Sequence, residues 1–214
     1  MPASNDAGEP DGHLMQSDLR VSIKEYERKF MSIDTIKRRI PDYAKDLRVN
    51  VGNVLDPERA DAMSAEQIFG TALATAIASR NAELVAAIQA EAAQHLDEKW
   101  LNAARAAAAI MGMNNIYYRF IHLASNEEYG KMPAKLRMSV VGNPGIDKAD
   151  FELMSLAVSA INGCGMCIDS HERVLSQAGV SAEVIQHAVR IASVMHAIAV
   201  LFDTEDLADV KAAA

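Results

Sequence analysis

Residues 149–202 read ADFELMSLAVSAINGCGMCIDSHERVLSQAGVSAEVIQHAVRIASVMHAIAVLF, and this stretch decides how the rest of the chain is read. An apolar-rich run begins near Ala149 and breaks at Asn162-Gly163. The chain restarts at Cys164, pauses at Gly179, and then places Ser181 ahead of a last run to about Phe202. Asparagine and glycine punctuate helices, and a serine hydroxyl caps the next one by accepting from its first free amides. The pattern is helix, break, helix, break, long helix.

Working outward, the preceding segments repeat this grammar. Ser64-Ala65-Glu66-Gln67 fits a capping box, which opens a helix to about Ser79. Further helices are predicted over 82–94 and 97–123. The stretch 125–149 holds Pro133, Asn143-Pro144-Gly145 and a short apolar patch at 138–141, so it reads as a loop with one helical turn. Earlier, Ile33, Ile36 and Ile40 form one apolar stripe, and Pro41 opens a short helix through Tyr43 and Leu47. The basic run Lys37-Arg38-Arg39 reads as a solvated face. Residues 1–16 are small, polar and acidic, a disordered-tail composition. Ser17 then caps a helix carrying Leu19, Ile23, Tyr26 and Phe30. No segment shows sustained period-two alternation, so the expected fold class is all-α. We expect an N-terminal extension over 1–30, largely disordered and then helical, and a single all-α domain over 31–214.

A shift of 84 residues sets Phe69 on Leu153, Leu73 on Ala157, Ala104 on Ala188 and Met111 on Met195. This predicts two pseudo-repeated helical hairpin units around one core. The first half carries Arg80 and Glu83 where the second carries the cysteines.

Composition narrows the function. The chain has 214 residues, 37 of them alanine, the strongest helix former, and only 5% aromatic. A net charge of -8 argues against nucleic acid as the main partner. No unbroken run of 18 apolar residues occurs, so no membrane span is expected. The first thirty residues lack a signal-peptide core, which points to the cytoplasm.

In that compartment Cys164 and Cys167 read as redox-active or metal-binding rather than as a structural staple. Two thiols separated by two residues can close a small disulfide and store two electrons reversibly. The glycines flanking Cys164 suggest a helix start, whose dipole lowers thiol pKa. His171 lies four residues after Cys167, on the same helical face, where it can relay a proton. Glu152 is a candidate carboxylate partner, although spacing alone does not bring it to the thiols. Zinc remains an alternative, with His187 or His196 as a fourth ligand, but no second CxxC exists. A structural disulfide over so short a loop removes little chain entropy.

The chain from Met31 to about Val200 resembles the alkyl hydroperoxide reductase D family of the carboxymuconolactone decarboxylase-like superfamily. The residues that carry the likeness are Ile40-Pro41-Asp42-Tyr43-Ala44-Lys45-Asp46, Ala109-Ile110-Met111-Gly112-Met113-Asn114-Asn115 and Asn143-Pro144-Gly145-Ile146. To these add Phe151-Glu152-Leu153, Ser159-Ala160-Ile161-Asn162-Gly163-Cys164, Cys167 and His171, which fit the family's E…CxxCxxxH pattern. The resemblance implies an antioxidant, lipoyl-dependent peroxidase that assembles as a homotrimer. By resemblance Cys167 is the peroxidatic nucleophile that becomes a sulfenic acid. Cys164 is then the proton donor and resolving thiol, with Glu152 and His171 as the proton relay. The resemblance also implies a mixed disulfide from Cys164 to a partner peroxiredoxin, alkyl hydroperoxide reductase C (AhpC). Electrons would come from external dihydrolipoamide on a lipoylated acyltransferase, recharged by lipoamide dehydrogenase and NADH. No bound cofactor or metal is implied, and the chain has no glycine-rich dinucleotide loop.

Some family members carry a histidine just before the second cysteine, where this chain has Met166. A thioether cannot shuttle a proton, so Met166 reads as packing, with an apolar entrance for an alkyl peroxide as the alternative. Asn114-Asn115 sit mid-helix, where asparagine is disfavoured, which suggests buried hydrogen bonding. His122 reads as a buried or interfacial structural histidine. His187 and His196 fall on opposite sides of the last helix. Two other functions stay open: a decarboxylase of the wider superfamily, whose chemistry needs no dithiol, and a redox-gated helical adaptor.

Overall fold

The computed structural model describes residues 32–60 and 63–212. The predicted tail and the helix capped by Ser17 lie outside the described residues. Ten α-helices follow one another, and no strand occurs among the described residues, so the fold is all-α. They are α1 (Ile33–Arg39), α2 (Lys45–Val54), α3 (Ala65–Ser79), α4 (Ala82–Ala92), α5 (Glu98–Leu123), α6 (Glu128–Lys131), α7 (Ser139–Gly142), α8 (Lys148–Ile161), α9 (Gly165–Gln177) and α10 (Ala182–Ala212).

Local sequence explains the helix starts. Ser32, Asn81, Asp97 and Asp147 each accept a hydrogen bond from a first-turn amide. At Ser64 the capping box is complete: Gln67 N–H donates to Ser64 Oγ at 3.2 Å, and Ser64 N–H donates to Gln67 Oε1 at 3.0 Å. Pro41 holds an extended conformation and leads through a single 3-10 turn (Asp42–Ala44) into α2.

The centre of the molecule is α3 against α8, each also packed on α5 and α10. Every residue from Ile68 to Ala76 is buried, as is every residue from Phe151 to Ser159. A helix apolar on all sides belongs in the middle of a bundle. Alanine makes that close approach possible: Ala72, Ala74, Ala76, Ala104, Ala107 and Ala157 are all fully buried. Gly70 goes further, because a Cβ there would lie 3.2 Å from both Met154 Sδ and the Trp100 ring. Around these small residues, Phe151, Leu73, Leu84, Met154 and Phe202 fill the core, each worth about 1.5–3 kcal/mol of burial.

Gln67 also ties the two central helices together, donating to Asp150 Oδ1 at 2.8 Å. The Asp150 carboxyl is held above its ordinary range by desolvation and by the nearby charges of Asp147 and Glu66, partly offset by that hydrogen bond.

Two expectations need correction. Arg39 is not part of a solvated face. It pairs with Glu83 and lies over the Phe202 ring, 4.4 Å from its centroid, so its charge is used in packing α1 to α4 and α10. The 125–149 stretch holds two single helical turns, α6 and α7, rather than one. The segment Ala182–Glu205 of α10 is long and apolar enough to cross a membrane by length and composition, though 56% of its apolar window is buried inside the fold. Gln186, His187, Arg190, Ser193 and His196 interrupt it, which is why a search for an unbroken apolar run passes over it.

Helices α3, α4 and α5 begin at 65, 82 and 98, and α8, α9 and α10 begin at 148, 165 and 182, so the order of elements recurs.

Candidate active site

The break between α8 and α9 is built by local chemistry. Asn162 ends α8, and Gly163 follows at φ +65°, the left-handed region where a side chain is strained. A Cβ at Gly163 would meet nothing within 4 Å, so the glycine is there for conformation and not for space. Cys164 then caps α9, and its sulfur accepts from Cys167 N–H at 3.3 Å. The two sulfurs are bonded to each other, with Cα atoms 5.3 Å apart. Cys164 is therefore the N-cap and Cys167 lies in the first turn, both at the positive end of the helix.

The turn is clamped from α5. Asn115 is fully buried and donates to Ser159 Oγ at 2.9 Å, and Asn162 Nδ2 donates to Asn115 Oδ1 at 2.9 Å. Arg119 donates to the Asn162 carbonyl at 2.5 Å. These bonds answer the mid-helix asparagine at 115 and fix where α9 begins.

Next to the pair is a cleft of about 320 Å3, lined by residues of α5, α7, α8 and α9 and by Met138 before α7. Cys167 lines it and Cys164 does not. Cys164 is completely buried, while Cys167 is 6% exposed. Glu152 and His171, both buried, reach the same cleft from α8 and α9. His171 Nδ1 and Glu152 Oε2 are 2.5 Å apart. The other ring nitrogen, Nε2, lies 3.3 Å from Met111 Sδ. The structure thus gathers Glu152, Cys167 and His171 on one cleft and sets Cys164 beneath it.

The remaining walls are mostly apolar: Met111, Met138, Val141, Met166 and Val174. Met166 is 36% exposed and lines the cleft, so it is not enclosed in the core. Sequence reasoning missed Met111 and Met138 as cleft residues. Met111 lay within a quoted motif, but nothing in the motif tied it to a histidine 60 positions later. His122 is exposed on α5, not buried within the chain. His187 is buried and bonds the Val54 carbonyl at 3.0 Å, whereas His196 is exposed on the opposite side of α10. Among the described residues, no three His, Cys, Asp or Glu side chains come together to hold a metal ion.

The carboxymuconolactone decarboxylase family matches residues 127–209, which include the cysteine pair, Glu152 and His171. Longer matches are to proteins named alkyl hydroperoxide reductase AhpD. The one from Rhodopseudomonas palustris is 60% identical over 170 residues, covering 79% of this chain and 92% of its own. The Rhodospirillum centenum protein is 57% identical over 175 residues, 82% of this chain and 92% of its own. The Methylocella silvestris protein is 56% identical over 177 residues, 83% of this chain and 98% of its own. With over half the residues identical along nearly the whole length of such relatives, this chain belongs to the alkyl hydroperoxide reductase AhpD family, whose cysteine-bearing part falls within the carboxymuconolactone decarboxylase family.

Proposed function

We propose that this protein is an antioxidant enzyme that reduces organic hydroperoxides through a Cys164–Cys167 dithiol/disulfide cycle. The observation that carries this reading is a single arrangement: Cys167 opens on an apolar cleft that also holds a buried Glu152–His171 pair. In the reduced protein, Cys167 thiolate attacks the terminal oxygen of the hydroperoxide. The O–O bond breaks, Cys167 becomes a sulfenic acid, and the alkoxide leaves as an alcohol after taking a proton. The Cys164 thiol then displaces hydroxide from Cys167, which leaves as water, and the disulfide closes. The role of Glu152 and His171 is to hold and return those protons. The helix dipole at the start of α9 favours the thiolate.

The reductant is dihydrolipoamide, which returns the disulfide to two thiols and becomes lipoamide. A lipoylated acyltransferase, recharged by lipoamide dehydrogenase, supplies it, and the protein also regenerates the peroxiredoxin AhpC. The exposures favour Cys167 as the sulfur that incoming thiols attack. A mixed disulfide to AhpC through Cys164 requires the first turn of α9 to open, because that sulfur is completely buried.

We assign the active oligomer as a homotrimer in the cytoplasm, with residues 31–214 as one domain preceded by a separate arm. An apolar stripe supports self-association: Ile116, Phe120 and Leu123 are exposed along α5, beside exposed Tyr129 and Met132.

The test is turnover of cumene hydroperoxide with dihydrolipoamide as donor. Wild type consumes it, and Cys167→Ser loses roughly a thousandfold or more in kcat/KM. Equal and negligible rates for the two proteins overturn the peroxidase reading.

A further inference from the structure

His171 is held from both sides. Nδ1 lies 2.5 Å from Glu152 Oε2, and Nε2 lies 3.3 Å from Met111 Sδ. A thioether sulfur has lone pairs and no hydrogen to give. The Nε2–sulfur contact is a hydrogen bond only if Nε2 carries the proton. The same sulfur has Asn115 Nδ2 at 4.0 Å, a second group that can only donate. Met111 is 1% exposed, so its sulfur is turned away from solvent.

We propose that Met111 is a positioning residue that locks His171 with its hydrogen on Nε2, so that the relay exchanges protons only on the Nδ1–Glu152 side. Two protonation states satisfy the geometry. Either Glu152 is a carboxylate accepting from an imidazolium Nδ1–H, or it is a carboxylic acid donating to a bare Nδ1. In both, the mobile proton lies between Oε2 and Nδ1, and Nε2 keeps its own. Glu152 and His171 both line the cleft, so the proton held between them lies beside the space a hydroperoxide would enter. A leucine at 111 would fill much the same space but would leave a buried N–H without an acceptor. A thioether accepts weakly, which fixes the tautomer without drawing the proton from the carboxylate.

This inference rests on the reading of Glu152 and His171 as a proton relay. Its test is nevertheless separate, because a tautomer is read on the resting protein without turnover. The full chain, labelled with 15N-histidine, is examined at neutral pH by long-range proton–nitrogen correlation, with the His171 signals identified by their loss in His171→Asn. We expect a protonated Nε2 in wild type. In Met111→Leu the Nε2 signal shifts toward the bare form, and kcat falls about tenfold with KM for cumene hydroperoxide changed less than about twofold. Met111→Gln, whose amide oxygen restores an acceptor, returns the Nε2–H signature and brings kcat to within about threefold of wild type. A bare Nε2 in wild type overturns the proposal. So does a Met111→Leu protein that keeps both the wild-type Nε2 signal and the wild-type kcat. Should Met111→Leu fail to fold, the wild-type spectrum and Met111→Gln decide.

Discussion

The corner between α3 and α4 and the corner between α8 and α9 share a backbone plan. Each has a residue at positive φ, Arg80 at +70° and Gly163 at +65°. Each is followed by a cap whose side chain accepts from the amide three residues on. At the first corner the acceptor is Asn81 Oδ1, 2.8 Å from Leu84 N–H. At the second it is Cys164 Sγ, 3.3 Å from Cys167 N–H. Asn81 is further anchored by donating to Asp203 Oδ1 at 2.7 Å. The first corner is inert joinery. The second replaces a capping oxygen with a sulfur and puts another sulfur one turn along, facing a cleft. A helix cap thus becomes a redox centre, in a corner that places two residues, Asn162 and Gly163, before the cap where the first corner has Arg80 alone.

The largest effect is expected at the reactive corner. Glu152→Gln removes the relay's carboxylate and lowers kcat/KM for cumene hydroperoxide by about 100-fold, with circular dichroism unchanged. A rate within a few-fold of wild type would take Glu152 out of the chemistry. At the inert corner the effect is on stability alone. Asn81→Ala loses a cap and a bond to α10, costing about 1–2 kcal/mol in urea unfolding, with turnover of the folded protein unchanged. A large loss of turnover there would show that the corners are coupled. The smallest effects come from exchanging conformational preferences. Arg80→Gly relieves a left-handed non-glycine residue and stabilises by about 0.5–1 kcal/mol, while Gly163→Ala costs about 1 kcal/mol. Equal signs for the two would break the analogy.

The sequence was most legible where structure is local. Ser64, Asn162-Gly163, Gly179 and Ser181 announce helix ends through their own hydrogen bonds and φ preferences, and the observed boundaries follow them closely. The CxxC spacing and His171 lie within three turns of one helix, so periodicity alone groups them. What stayed hidden depends on contacts between helices. Glu152 meets His171 across 19 residues, and Met111 meets it across 60. Arg39 reads as a surface charge until Glu83 and Phe202 arrive from other helices. Periodicity tells which face of a helix is buried, not which side chain it meets. The sequence offered Glu152 as a candidate carboxylate without placing it, and the fold supplies the 2.5 Å contact with His171.

The central claim is that Cys167 takes oxygen from a hydroperoxide and Cys164 resolves the product. Its most direct test is a single turnover of reduced Cys164→Ser with one equivalent of cumene hydroperoxide and dimedone, read by peptide mass. With the resolving thiol absent, the account predicts one dimedone adduct, on Cys167, and one equivalent of cumyl alcohol. Alcohol release without an adduct on Cys167, or an unreacted Cys167 thiol with hydroperoxide intact, would contradict it.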